Sequence, residues 1–288
     1  MEAARIENLN AVLEQHGYGQ PVLIGKGSFS KVYRIRDRAG QFWACRVSEA
    51  TGRWQQECIN WKEISHPLFP AYREQWTEGA YGYLIIEFWE GMDLQEFLRR
   101  RKRLSPEQAA VIVGQLTEGL QYLHERPHPF LYRDLKPENV RIRSNGKVGM
   151  LDLGCLWNRE QNHSVAGNYF YSAPEQFQTG ENPGEESDVY AVGKLLEVML
   201  ENTAQRRWEV KQCFGRRKVL KTGKAGRRRQ EAWLRRLSAM ATCREREKRI
   251  PDMKTFRLLL DVRNASERVR RQALQVADFY YIRKLYYS

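Results

Sequence analysis

LYRDLKPENVRIRSNGKVGMLDLG, residues 131–154, reads as a polar loop, a short hairpin and a second polar loop. Strand-like runs at 140–142 and 148–151 flank Asn145-Gly146, the signal for a two-residue turn with positive backbone φ. The first loop holds Asp134, Lys136 and Asn139, and the second opens with Asp152. Pairing the strands brings two acids, an amide and an ammonium to one edge.

Phosphoryl transfer from a nucleoside triphosphate asks for those residue types. Asp152 offers a carboxylate to a divalent metal and Asn139 a neutral oxygen to a second ion. Asp134 suits orientation of an attacking hydroxyl, and Lys136 places a cation on the phosphate in transit. Arg133 has the charge to neutralise a phosphate on a nearby loop. Any one of these residues alone is equally at home as a solvated charge beside a hairpin; the full string points to chemistry.

Residues 132–139, YRDLKPEN, followed by Asp152-Leu153-Gly154, resemble the catalytic loop and metal-binding tripeptide of the protein kinases, with Tyr132 for the usual His and Leu153 for the usual Phe. Lys136, two positions after the acid, is similar to the serine/threonine branch, of the kind found in bacteria. The His-Gly-Asp-type loop of small-molecule phosphotransferases does not occur. The resemblance spans roughly residues 20–260.

Composition sets outer bounds. A length of 288 residues with 42% hydrophobic content suits one two-lobed domain or two small ones. No apolar run reaches the roughly eighteen residues a membrane span needs, and the start, MEAARIENLNAVLEQ, mixes charges in a helix-like pattern without a secretory core. A cytoplasmic protein is expected. Five scattered cysteines without a Cys-x-x-Cys pair read as free thiols, and five histidines without ligand spacing predict no structural metal. The net charge of +13 favours acidic partners. No stacking pattern singles out nucleic acid.

Residues 2–16 form an expected amphipathic helix through Ile6, Leu9, Val12 and Leu13, packing beside the first lobe. VLIGKGSFSKV, residues 22–32, then gives strand, glycine-rich turn and strand, an arrangement in which backbone N–H groups of Gly25, Lys26, Gly27 and Ser28 lie over phosphates. It is similar to the kinase glycine-rich loop, with Ser30 for the third glycine; Val32 opens the second strand. In FWACRV, residues 42–47, the resemblance places Ala44 above the adenine and Arg46 where the family carries lysine. Glu57, on a helical stretch with Trp54, Cys58 and Trp61, is by resemblance the partner of that cation. A guanidinium can pair with it through two parallel bonds but is no compact point charge on phosphates. Lys26 is a candidate substitute. Residues 82–87, GYLIIE, read as a buried strand, and the connector after them resembles the hinge between lobes. Backbone groups of Glu87 and Trp89 would then bond the purine edge.

Beyond the hinge a short helix ends in RRRKR, residues 99–103, and Ser105-Pro106-Glu107-Gln108 starts a longer one with apolar residues at 109, 112, 113, 116, 120 and 123. His124 and His128 near its end read as structural. If Asn139 faces metal, position 141 faces the purine from beneath, where the family has an apolar residue and this chain has Arg141. That arginine either stacks its plane on the base or fills the pocket. The activation segment runs from 155 to 176 and closes on Ala173-Pro174-Glu175. Asn168 stands where a threonine would link Asp134 to Lys136, and Ser164 is its candidate phosphorylation site. By resemblance to the kinases, Asp188 would brace the catalytic loop and Arg249 would pair with Glu175. Residues 206–236 are strongly basic and the end, FYYIRKLYY, is aromatic and basic.

Together these readings predict an α+β, bilobal, protein-kinase-like fold with a β-rich first lobe and a larger, mainly helical second lobe. The expected parts are a helical extension at 1–19, lobes at 20–87 and 93–262 joined by a hinge at 88–92, and a helical tail at 263–288. The resemblance implies ATP and Mg2+ as cofactors and transfer to Ser or Thr of a protein substrate, an acidic one by charge, with autophosphorylation open to it. Asp134, Lys136 and Asn139 are the catalytic expectation and Asn139 with Asp152 the metal ligands. Arg46 and Arg141 keep open the alternative of a kinase-like interaction scaffold without efficient catalysis.

Overall fold

The computed structural model describes residues 2–27, 29–101, 104–158, 165–178, 181–201 and 224–261. Ser28, Cys213, Ser164, most of the basic 206–236 segment and the tail lie outside them. The chain divides into two compact units after Glu90.

The first unit contains α1 (Glu2–Gln15), β1 (Tyr18–Lys26), β2 (Ser30–Asp37), β3 (Phe42–Glu49), α2 (Gly52–Glu63), β4 (Tyr72–Glu78) and β5 (Tyr81–Glu87). Its five strands form one antiparallel sheet in the order β1-β2-β3-β5-β4. Strand alternation divides the sheet's side chains between two faces. Ile35, Trp43, Cys45, Tyr83 and Ile85 on one face pack with Leu9, Val12 and Leu13 of α1, so the amphipathic start of the chain covers that face, as expected. Ala44 and Arg46 alternate onto the other. α2 starts at Thr51, whose hydroxyl accepts from Trp54 N, and buries Trp54, Glu57, Cys58 and Trp61, the spacing of a helix stripe.

The second unit contains β6 (Gly91–Asp93), α3 (Leu94–Arg101), α4 (Pro106–His124), β7 (Phe130–Leu131), β8 (Val140–Arg143), β9 (Val148–Met150), β10 (Trp157–Asn158), α5 (Glu185–Glu201), α6 (Lys224–Ala241) and α7 (Met253–Asp261). It is mainly helical. Both halves of a capping box at Ser105 and Gln108 start α4, and the buried residues of α4 and α5 follow the predicted 3.6 period. β6, β8 and β9 form a three-stranded sheet in the order β6-β8-β9, and β7 pairs with β10. The bilobal, kinase-like α+β architecture is therefore present: a β-rich first lobe and a helical second one.

The central hairpin departs from expectation in its turn. Gly146 has φ 76°, but Asn145 does not have a positive φ. Gly146 N donates to Arg143 O at 2.9 Å and Arg143 N to Lys147 O at 2.8 Å. The connection is thus a three-residue loop with glycine in the left-handed position, a bulge geometry that serves Asn-Gly as well as the tighter turn does.

Candidate active site

The first unit brings Gly25, Lys26, Val32, Ala44 and Arg46 onto neighbouring strands. Gly25 lies opposite Val32 and Lys26 opposite Lys31, and Gly27 N donates to Ser30 O at 2.8 Å, closing the glycine-rich hairpin. Val32 is in turn opposite Arg46, and Ala44 opposite Ile86. The Arg46 guanidinium lies 3.0 Å from Glu57 Oε1, joining β3 to α2. Both partners are shielded, Glu57 the more so at 5% exposure, and Trp61 Nε1 donates to the same carboxylate oxygen at 3.4 Å. Glu57 thus meets the strand cation although that cation is arginine. At the strand end, Glu87 N donates to Ala71 O at 2.8 Å, and Trp89 is buried.

In the second unit the loop before β8 gathers Asp134, Lys136 and Asn139. Lys136 Nζ donates to Asp134 Oδ2 at 2.6 Å, and Asn139 Nδ2 donates to the same oxygen at 3.0 Å and to the Asp134 backbone carbonyl at 2.9 Å. Leu151 N donates to Asn139 O at 2.9 Å, which ties the two polar loops together at the end of the hairpin. Asp152 folds back on its own loop, its Oδ1 accepting from Gly154 N at 2.8 Å. Burial pushes the Asp134 carboxyl above its ordinary value; Lys136 works against that rise and the charge of Asp152 adds to it. Burial also disfavours the Lys136 charge, but Asp134 and Asp152 outweigh it and hold the ammonium above its ordinary value. The result is one ammonium bonded to Asp134 and further favoured by the charge of Asp152.

The donor set suits a hard cation. With Asn139 Nδ2 committed to Asp134, the amide presents Oδ1 as its remaining polar atom, and Asp152 is a carboxylate. Magnesium keeps several waters and phosphate oxygens, so one or two protein oxygens suffice. Among the described residues no cluster of three His, Cys, Asp or Glu could hold a metal ion by itself.

The loop is held from behind by three stretches. Asp188 of α5, fully buried, accepts from Tyr132 N at 2.8 Å and Arg133 N at 2.9 Å, the expected brace. His124 Nε2 lies 2.8 Å from Asp188 Oδ2, and its Nδ1 is 3.5 Å from Glu185. Burial lowers the affinity of His124 for its proton, but Asp188 and Glu185 overcome this and set its pKa at about 9. The Arg133 carbonyl, on a residue with φ 66°, accepts from Gln176 Nε2 at 2.9 Å and Ser172 Oγ at 3.2 Å. Arg249 meets Glu175 through two bonds, the longer 3.2 Å, and Ser187 Oγ adds a third at 2.7 Å.

One expectation is corrected. Asn168 does not link Asp134 to Lys136; its Oδ1 accepts from Phe170 N at 3.0 Å, a local turn that short amides form readily. Arg133, 4% exposed, sends Nε to Cys155 O at 2.8 Å and sits 5.6 Å from the Trp157 ring centre, so its guanidinium is engaged within the fold.

A polar loop held in this way, a glycine-rich hairpin and a strand cation paired to a helix carboxylate are joined by a match along the chain: the family model described as protein kinase domain covers residues 18–279. The chain belongs to the protein kinase family. It is 28% identical over 192 residues to the probable serine/threonine-protein kinase PknB of Lactococcus lactis, covering 62% of this chain and 30% of that one. Over 205 residues it is 29% identical to the probable serine/threonine-protein kinase MRK1 homolog of Encephalitozoon cuniculi, with shares of 68% and 64%. To CBL-interacting protein kinase 17 of Oryza sativa it is 30% identical over 199 residues, with shares of 64% and 43%. The chain therefore spans less than two thirds of these relatives' length. Membership of the protein kinase family carries ATP use as a general property, and the likeness is to serine/threonine types. Among the described residues no helix is long and apolar enough to cross a membrane.

Reading the protein kinase sequence alone leaves out Ser172 and Gln176, because a hydroxyl and an amide aimed at one backbone carbonyl leave no spacing pattern. His124 was readable only as structural; its position directly after Leu123, the last apolar residue of α4, was the available signal.

Proposed function

We propose that this chain is a protein serine/threonine kinase that passes the γ-phosphate of ATP to hydroxyls of a protein substrate. The observation that carries the reading is the single hydrogen-bonded group of Asp134, Lys136 and Asn139 beside Asp152. Asp134 Oδ2 is engaged by Lys136 and Asn139, which leaves Oδ1 to accept the proton of an incoming Ser or Thr hydroxyl. Burial keeps that carboxyl more basic than an exposed one, as a proton acceptor needs. Lys136 stays charged and sits where charge gathers on the phosphoryl group in flight. Asn139 and Asp152 would hold magnesium, which when bound neutralises the phosphate oxygens. Gly25, Lys26, Gly27 and Ser28 would offer backbone N–H groups to the phosphates. Val32, Ala44 and the backbone of Glu87 and Trp89 would take the purine, and the Arg46–Glu57 pair would position the triphosphate. A hinge at 88–92, a cytoplasmic setting and an acidic substrate, favoured by the +13 charge, belong to the same proposal.

A scaffold without efficient catalysis is the second reading, favoured by the planar guanidinium of Arg46 in place of a compact ammonium. Thermal shift with ATP and magnesium, followed by radiolabelled autophosphorylation, separates the two. The natural chain and Arg46→Lys are expected to shift and to label, and Asp134→Asn to lose labelling by at least about a hundredfold. Silence in all three proteins, with no shift, establishes the scaffold instead.

A further inference from the structure

α2 meets the face of the first sheet that carries Arg46, and two rows of cross-strand neighbours set its height there. Val32, Arg46, Leu84 and Gln75 form one row; one step along the strands, Ser30, Ser48, Gly82 and Thr77 form the next. That second row has no large side chain. Trp54, 5% exposed, fills the space: a Cβ added at Gly82 would fall within its indole, 2.6 Å from Nε1. Gly82 has no positive φ, so the position needs glycine for room and not for backbone freedom. Among the described residues Trp54 Nε1 meets no hydrogen-bond acceptor, so packing alone seats the ring. Ala50 N donates to Ala80 O at 2.9 Å, which ties the entry of α2 to the turn between β4 and β5.

We propose that Trp54, seated on Gly82, is the positioning residue of the Arg46–Glu57 pair. Three residues of helix rise about 4.5 Å and two of strand about 6.6 Å. An indole on the Gly82 row therefore brings Glu57, three residues on, beside the neighbouring row, where the long side chain of Arg46 covers the remainder. A helix held to a sheet by flexible side chains can slide along the strands; a rigid ring in a slot one glycine wide removes that freedom. Height matters more for arginine than for lysine, because a planar fork meets a carboxylate in few orientations and an ammonium in many. The first unit thereby assembles its ion pair from its own packing, with no outside contact needed to press α2 into place. The inference rests on the kinase reading above only for what the pair does with a triphosphate; the seat of α2 does not depend on it.

Isothermal titration of the full chain with ATP and with adenosine, both with magnesium, tests it beside urea unfolding of the same variants. Gly82→Ala expels the indole and Trp54→Leu removes it. Each is expected to weaken ATP by between about fivefold and thirtyfold and to leave adenosine unchanged, as Glu57→Gln should also do. Trp54→Leu guards against a folding defect in the Gly82 variant. Trp54→Phe keeps a flat ring and loses no hydrogen bond, so it should recover most of the ATP affinity. Adding Glu57→Gln to Trp54→Leu should cost no further affinity, because the pair is already displaced. Equal losses for ATP and adenosine, or unchanged ATP affinity in a folded variant, overturn the inference and leave the kinase reading standing. A natural chain that binds neither ligand overturns the kinase reading instead, and urea then decides the inference alone. Glu57→Gln should lower the midpoint of the natural chain and not that of Trp54→Leu, and an equal lowering in both overturns it.

Discussion

Arg249 is 1% exposed and charged, and its position is tolerable because Glu175 meets it through two bonds while the Cys243 and Glu186 carbonyls accept from it as well. Removing one partner of such a pair strands the other in a poorly solvated place, at a cost of about 3–5 kcal/mol. Arg249→Ala is therefore expected to lower the urea midpoint steeply, and Arg249→Lys to recover only part of the loss because an ammonium cannot make the two parallel bonds. Residues of this kind were legible through the likeness to the kinases, as for Arg249 with Glu175 and Asp188 with the catalytic loop. Asn168 was not, because a short amide within a turn can satisfy itself with the backbone two residues on. Neither was the commitment of Arg133 to Cys155 and Trp157, which depends on where the chain returns after the hairpin.

At the scale of elements, periodicity carried most of the information. α4 and α5 announced themselves by apolar residues three and four apart, and α4 also by its Ser-Pro-Glu-Gln start. β6 did not, since three residues are too few to show a period, and its place beside β8 is fixed by backbone proximity at Gly91. Gly91→Ala combines a positive φ with a backbone clash and is expected to cost more than about 2 kcal/mol, detaching β6 from β8. Ser105→Ala, which only removes a cap, is expected to cost about 1 kcal/mol. Thermal melts of the two variants, with the alanine at 91 clearly the lower, check the order. The turn type of the central hairpin escaped the sequence for a related reason: Asn-Gly suits two loop lengths, and hydrogen bonding at Arg143 and Lys147 selects the longer.

For the molecule as a whole, the order of strands, glycine-rich turn, polar loops and helices was enough to give the two-lobed class, because each segment's local pattern agrees with the fold it enters. Acidity adds a property no linear reading supplies. His124, at about 9 in the folded chain against an ordinary 6.5, contributes stability that is complete below about 6.5 and is lost as pH rises through about 9. Glu175 works in the other sense: burial pushes it up, but Arg249 and Ser187 hold it below its ordinary 4.5, so its contribution is complete above 4.5 and is lost on acidification below that. Unfolding free energies measured across pH should accordingly show these two groups favouring the range between about 4.5 and 6.5, with the alkaline decline reduced in His124→Gln. One consequence of the buried Asp188 reaches further. The amides of Tyr132 and Arg133 belong to no helix or ladder, yet they terminate on a fully buried side chain in the first turn of α5. Their deuterium exchange is thereby coupled to the melting of a core helix, and an irregular loop acquires the opening energy of the most protected part of its lobe.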